Sequence, residues 1–139
     1  MNISKYIIYI SFLVLTIFFL SCKKSKENKL IGTWVNQPLE STTDESDFEQ
    51  LWTFDAASGL VVKSISTDTV ITMSGIYSVS SKNMGMSGYY IQITNVDGLL
   101  DGKYRIKKLD DSKMSLHRIE LADGNTAGAF LWKDFLKQE

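Results

Sequence analysis

Residues that carry much of the chemistry of enzymes and metal sites are scarce in this sequence, which has one cysteine and one histidine among 139 residues. A single cysteine cannot form an internal disulfide, and with one histidine it cannot supply the usual Cys/His ligands of zinc. A serine or threonine nucleophile most often needs a histidine base, and His117 is the only one present. We therefore expect no enzyme activity, no metal and no cofactor, and we interpret His117 as an ordinary surface or wall residue.

The one long apolar run lies near the start of the chain and spans residues 6–20. These fifteen residues carry no charge, and they follow a segment, residues 1–5, with one lysine. A helix needs about 20 apolar residues to span a bilayer, so this shorter run is typical of the core of a signal peptide.

The run ends in Leu20-Ser21-Cys22, which resembles the lipobox of bacterial lipoproteins, with Phe19 where that family usually has an aliphatic residue. In that family the cysteine thiol is diacylated, the peptide is cut before it, and the new amino terminus is acylated. The resemblance implies that residues 1–21 are a cleaved signal peptide and that acylated Cys22 binds the lipid bilayer. An uncleaved membrane anchor is the alternative.

Residues 22–29 form a short basic linker after the cleavage site, with four lysines and one glutamate. The seven residues after Cys22 reach at most about 25 Å when fully extended, so the following domain stays near the membrane. The Ser-Cys-Lys-Lys-Ser junction resembles lipoproteins of the Bacteroidota, in which an acidic tract after the cysteine is associated with export to the cell surface. This chain has no such tract, which favours an outer-membrane lipoprotein facing the periplasm, with surface exposure as the alternative.

Residues 30–139 are enough for one domain and too few for two. They contain ten basic and fifteen acidic residues, which leaves a formal charge of −5 and argues against nucleic acid as a partner. Apolar and polar residues alternate almost throughout, and this period of two predicts short antiparallel strands. The predicted strands are residues 30–36, 48–54, 59–67, 70–80, 89–96, 102–109, 114–121 and 127–133.

Two local irregularities belong to this prediction. The apolar phase slips between Leu116 and Ile119, which indicates a β-bulge near His117. Residues 134–139 are expected to form a short helical tail. Because eight short strands with short connections can remove their edges by closing, the pattern predicts an all-β, antiparallel up-and-down barrel.

Several short motifs in this domain resemble the lipocalin-like domains of bacterial lipoproteins, over about all of residues 30–139. They are Leu30-Ile31-Gly32-Thr33-Trp34, Thr53-Phe54-Asp55 with Gly59, Gly75-Ile76-Tyr77, and Tyr104-Arg105-Ile106 followed by Leu109 and Met114-Ser115-Leu116. The resemblance implies an eight-stranded lipocalin-like barrel in which Gly32 and Trp34 are the barrel-closing motif. In lipocalins a basic side chain of the last strand covers that tryptophan; the candidate by position is Lys133, and Arg118 is the only late arginine.

Aromatic residues carry the remaining functional signal, because they can line a cavity for a small hydrophobic ligand. The predicted ligand-binding residues are Trp52, Phe54, Tyr77, Tyr89 and Tyr104. The alternative is a dry core, since an eight-stranded barrel is only just wide enough for its own side chains. The aspartates at 97, 101, 110 and 111 are interpreted as hairpin-turn residues rather than cation ligands.

Two functions follow from these observations. The first is a membrane-anchored lipocalin-like lipoprotein that binds a small hydrophobic ligand in or at the mouth of the barrel. The alternative is a non-enzymatic periplasmic module with a packed core that binds or inhibits a protein partner through the acidic loop 40–47.

Overall fold

The computed structural model describes residues 25–37, 49–82, 88–128 and 131–139. The predicted signal peptide, Cys22 and the acidic loop 40–47 lie outside the described residues. Within the described part of the chain, no helix is long and apolar enough to cross a membrane.

Eight strands form a closed, all-antiparallel barrel, as the alternation predicts. They are β1 Gly32–Gln37, β2 Glu49–Phe54, β3 Gly59–Ile65, β4 Val70–Lys82, β5 Gly88–Thr94, β6 Gly102–Leu109, β7 Lys113–Leu121 and β8 Trp132–Lys137. Each strand pairs with the next in sequence, and β8 pairs with β1, so the barrel is of the up-and-down type. The predicted fold class is confirmed.

Alternating residues of the strands point inward and fill the barrel. In β2, Gln50, Trp52 and Phe54 are buried and the residues between them are not. Inward residues of β3, β5 and β7 add the aliphatic part of the same core, because successive side chains of a strand lie on opposite faces.

The last strand lies later than the sequence pattern predicts. Strand β8 spans Trp132–Lys137, whereas residues 127–133 were the predicted strand and residues 134–139 the predicted helix, so both predictions are wrong. Phe135 pairs with Asn36 of β1 and Met114 of β7 and is 2% exposed. The inward positions on either side of it are Lys133 and Lys137, whose apolar stems replace the aliphatic residues that would reveal the alternation.

The chain enters the barrel through a short helix, residues 25–30, which comprises the end of the predicted linker and Leu30. Leu30 is fully buried at the end of this helix, so the prediction that it begins the first strand is wrong. Gly32 has a φ of 126°, a conformation that favours glycine, and begins β1.

A bulge interrupts the β6–β7 pairing where the apolar phase slips. Tyr104 pairs with Arg118 and Lys103 pairs with Glu120, so Ile119 is an extra residue in β7. The predicted bulge is therefore present, two residues beyond His117. Arg118 lies opposite the inward-facing Tyr104, and both residues are buried.

The two ends of the barrel differ. The helix end carries residues 25–30 and the turns 55–58 and 110–112. The opposite end, which we call the mouth end, carries the turns 66–69 and 95–101 and the connection that follows β7.

Candidate functional site

Four of the five predicted ligand-binding residues lie in the buried core. The Trp52 ring centroid is 6.2 Å from that of Phe54, 6.1 Å from that of Tyr104 and 5.2 Å from that of Phe135. Phe54 in turn meets the Tyr77 ring edge-on at 5.0 Å. These five rings, which we call the aromatic cluster, pack against one another rather than around an open space.

The hydroxyls of the two tyrosines in the cluster bind backbone carbonyls. Tyr104 Oη donates to Leu100 O at 2.6 Å, and Tyr77 Oη donates to Asp55 O at 2.7 Å. Burial raises the pKa of Tyr104 to about 12, with a smaller opposing effect of Arg118. Both tyrosines therefore serve as core residues that fasten turns at opposite ends of the barrel.

Tyr89, the fifth predicted residue, lies apart from the aromatic cluster. It is half-buried near the start of β5, at the helix end, and the Lys26 ammonium lies 5.8 Å from its ring centroid. The structure does not bring it together with the other four residues.

The helix end is closed around Trp34. Its Nε1 donates to Leu30 O at 2.7 Å, and the Lys137 ammonium lies 5.1 Å from its ring centroid while donating to Lys29 O at 3.3 Å. Trp34 and Lys137 are register partners of β1 and β8. The cation that covers the tryptophan is therefore Lys137, and the assignment of that position to Lys133 or Arg118 is wrong because the last strand lies later than predicted.

Lys133 instead lies over the aromatic cluster at the mouth end. Its ammonium is 5.6 Å from the Trp52 ring centroid and donates to Gln50 Oε1 at 3.3 Å. The same oxygen accepts a bond from Trp52 Nε1 at 2.9 Å, and Gln50 Nε2 donates to Ser64 Oγ at 3.3 Å. Gln50 and Ser64 are both buried.

Arg118 is the second inward-facing cation of this region. Its guanidinium lies 5.8 Å from the Tyr104 ring centroid and donates to the carbonyls of Leu99 and Asp101 in the turn 95–101. Arg118 is 8% exposed, and its Nε has no hydrogen-bond partner. The Oδ1 atom of Asn36, in β1, is also buried without a partner.

We call these inward-facing polar groups the polar layer; its members are Asn36, Gln50, Ser64, Arg118 and Lys133. Burial, and secondarily the positive charge of Arg118, lowers the pKa of Lys133. Ion pairs in the described chain include Lys29 with Asp111 and Lys108 with Asp110, whereas neither Lys133 nor Arg118 pairs with a described carboxylate.

Sequence reasoning missed the polar layer, although part of its signal was present. Gln50 has the same alternation phase as Trp52 and Phe54, and a polar residue at a core position of a strand needs a partner inside. Arg118 and Lys133 could not be found in this way, because the bulge and the position of β8 decide that they point inward.

Comparison with family models, curated proteins and solved structures finds no match to this chain.

The acidic turns bind their own backbone. The Asp101 carboxylate accepts from the amides of Asn95, Val96 and Asp97, at 2.9, 2.9 and 3.3 Å. Asp110 accepts from Ser112 and Lys113 in the β6–β7 turn. In the described ranges, no group of three His, Cys, Asp or Glu residues is placed to hold a metal ion.

His117 lies on the outer wall, stacked on Trp132 with ring centroids 4.4 Å apart and an interplanar angle of 7°. The Lys107 ammonium lies 5.4 Å from the centroid of the Trp132 ring. This arrangement makes His117 part of a surface stack.

Proposed function

We propose that this protein is a lipid-anchored lipocalin-like lipoprotein that holds a small hydrophobic ligand at the mouth end of its barrel. The observation that carries the proposal is the contrast between the two ends. A helix, Trp34 and Lys137 close one end, whereas the other presents a polar layer beside exposed apolar residues.

Exposed apolar side chains at the mouth end supply the binding surface. Leu99 is 80% exposed and Ile71 53%, and Ile71 pairs with Ser64 of the polar layer across β3 and β4. Apolar surface next to inward-facing polar groups is the usual make-up of a small-molecule site. The ligand therefore lies across the mouth.

The packed aromatic cluster argues against a ligand deep in the barrel. Trp52 is fully buried, and Phe54 and Tyr104 are 1% exposed. Of the ligand positions expected from the sequence, inside the barrel or at its mouth, these contacts favour the mouth. The cluster then acts as a floor, and its residues support the site from below.

The position of the helix supports an orientation relative to the membrane. The helix of residues 25–30 begins three residues after Cys22, which corresponds to at most about 11 Å of extended chain. An acyl anchor on Cys22 holds the helix end near the bilayer, so the mouth faces away from it. We propose the periplasmic side of the outer membrane, on the absence of an acidic tract after Cys22.

Calorimetric titration tests the ligand proposal. We would reconstitute the full chain in phosphatidylcholine nanodiscs and titrate it with water-soluble eight-carbon amphiphiles, with empty nanodiscs as the blank. At least one of them should bind saturably, and Ile71→Ser should weaken binding by about tenfold, since an isoleucine contact contributes about 1.5 kcal/mol or more. Ile76→Ser, at a similarly exposed position outside the mouth, is the control; absence of any saturable binding would sink the proposal.

The anchor has its own test. Radiolabelled palmitate fed to cells should label the wild-type chain and leave Cys22→Ser unlabelled, and the variant should leave the membrane fraction. A labelled Cys22→Ser chain would contradict lipidation at this residue.

A second candidate function is a protein-binding or inhibitor module, and the tightly packed aromatic cluster favours it. Asp44, Glu45 and Asp47 of the acidic loop are then the contact residues. Neutralising all three should abolish co-purification of the partner; unchanged capture would reject this surface.

A further inference from the structure

We propose that the ligand is an anionic amphiphile. Its carboxylate or phosphate head binds Lys133, close to the positive charge of Arg118, and its apolar tail lies over Ile71 and Leu99. This inference rests on the proposed function and names the chemical class of the ligand.

The polar layer carries positive charges that no described carboxylate pairs with. Lys133 and Arg118 both face inward, and Leu116, two residues before Arg118, is the register partner of Lys133. Diagonal neighbours on one face of a sheet have Cβ atoms roughly 7–8 Å apart. Two cations thus converge at the mouth end without a carboxylate partner in the described chain.

Lys133 has more hydrogen-bond donors than Gln50 Oε1, its acceptor in the described chain, can satisfy. An ammonium has three donors, and its acceptor here is the neutral Gln50 Oε1, which Trp52 Nε1 also uses. Buried charges in proteins are normally paired, because an unpaired one loses its hydration without compensation. An anionic oxygen at this position would supply the missing acceptor and the missing charge.

Two carboxylates in the turns beside Arg118, those of Asp101 and Asp123, form no ion pair with its guanidinium in the described chain. Asp101 uses its two oxygens on three backbone amides of its own turn, and it meets Arg118 through its carbonyl. Asp123 accepts from the backbone and side chain of Asn125. Both carboxylates accept hydrogen bonds within their own turns, so their charges offset part of the field of Arg118 without occupying its donors.

The packing decides how the ligand is oriented. Below Lys133 lies the Trp52 ring, which is fully buried, so no space for a chain is open on that side. The tail must therefore leave the polar layer toward solvent, across Ile71 and Leu99. Such a site takes a small anionic head inward and an apolar tail outward.

The experiment compares four ligands that share one tail. Octanoate, octyl phosphate, octanol and octylammonium are titrated into the full chain in phosphatidylcholine nanodiscs, in the calorimetric assay described above. We expect octanoate or octyl phosphate to bind at least tenfold more tightly than octanol, and octylammonium to bind most weakly. Preference for octanoate would point to a fatty acid as the source, and preference for octyl phosphate to a phospholipid-type head.

Variants tie this preference to Lys133. Lys133→Met keeps the apolar stem and should reduce anion affinity at least tenfold, whereas Lys133→Arg keeps the charge and should retain most of it. Lys63→Met, on the outer face of β3, should change nothing. Thermal melting followed by circular dichroism confirms that each variant folds.

The outcomes separate the two proposals. If octanol binds as tightly as octanoate and Lys133→Met leaves affinity unchanged, the anionic class is wrong and the hydrophobic site stands. If none of the four ligands binds saturably, both proposals fail.

Discussion

The Lys133 ammonium lies 5.6 Å from the Trp52 ring centroid, and both residues donate a hydrogen bond to the same oxygen of Gln50. A cation over an indole ring is attracted by its π electrons, which partly offsets the loss of hydration. The barrel thus holds a positive charge directly above its apolar core. The contacts of Lys133 with Trp52 and Gln50 lower the free-energy cost of burying that charge.

Lys133→Met should stabilise the ligand-free protein. Burial lowers the pKa of Lys133, which means that the fold disfavours its charged form, and methionine removes that cost while keeping the stem. We expect a gain of about 1 kcal/mol in the free energy of unfolding, measured by urea denaturation. Lys63→Met should stay within about 0.5 kcal/mol of wild type. A loss of stability in Lys133→Met would show that the cation–π contact and the bond to Gln50 outweigh desolvation.

Gln50→Leu should destabilise the barrel. It leaves Lys133 Nζ and Trp52 Nε1 without their common acceptor inside the protein. An unsatisfied buried polar group costs about 1–3 kcal/mol, and urea denaturation should show a loss in that range. Gln92→Leu, at a half-buried position of β5, is the matched control. Equal stability of the two variants would contradict a structural role of the shared acceptor.

Trp52→Ala should unfold a large fraction of the protein rather than only weaken ligand binding. Trp52 contacts three rings of the aromatic cluster and is fully buried. Large-to-small changes of this kind cost about 3–5 kcal/mol, a large part of the 5–15 kcal/mol typical of a domain. Trp132→Ala, at 40% exposure on the outer wall, should cost clearly less in the same thermal melts. A soluble, fully stable Trp52→Ala protein would show that the cluster is not tightly packed.

Gly32→Ala should strain the junction between the helix and β1. The φ of 126° suits glycine, and an added Cβ would lie 2.9 Å from Lys137 Cε, the side chain that covers Trp34. Strained backbone of this kind costs about 1–3 kcal/mol, and chemical denaturation should show that loss. Gly98→Ala meets no atom within 4 Å and should be near neutral.

Asp110 should make stability depend on pH at the acidic end. Hydrogen bonds from the amides of Ser112 and Lys113 hold its pKa at about 2, below the ordinary 3.8. Because the folded pKa is the lower one, this contribution is present above about pH 4 and is lost as pH falls toward 2. Asp110→Asn should flatten the pH dependence of unfolding in that window. An unshifted NMR titration of Asp110 would contradict the prediction.

The alternation of apolar and polar residues predicted strand positions correctly where the turns beside a strand were clear in the sequence. Strands β2 to β7 lie within a few residues of their predicted positions, because each has an apolar inward face and a Gly- or Asp-containing turn beside it. The bulge in β7 was visible for the same reason: a phase slip changes which residues can face the core.

The candidate site was less predictable from local pattern. Trp52, Phe54, Tyr77 and Tyr104 lie together in the barrel as a packed cluster. The local sequence pattern around an aromatic residue is the same whether the residue fills a core or lines a cavity. Whether space remains between rings depends on barrel diameter and side-chain packing, neither of which alternation encodes.

The sequence by itself determined the strand number, the antiparallel meander and the barrel class, because these follow from a period of two interrupted by turn residues. Only the tertiary structure decided where β8 lies and therefore that Lys137 covers Trp34 while Lys133 lies over Trp52. The physical reason is that lysine can bury its stem at an inward position. Its place is then set by closure of β8 against β1 and β7, which are contacts between residues far apart in the chain.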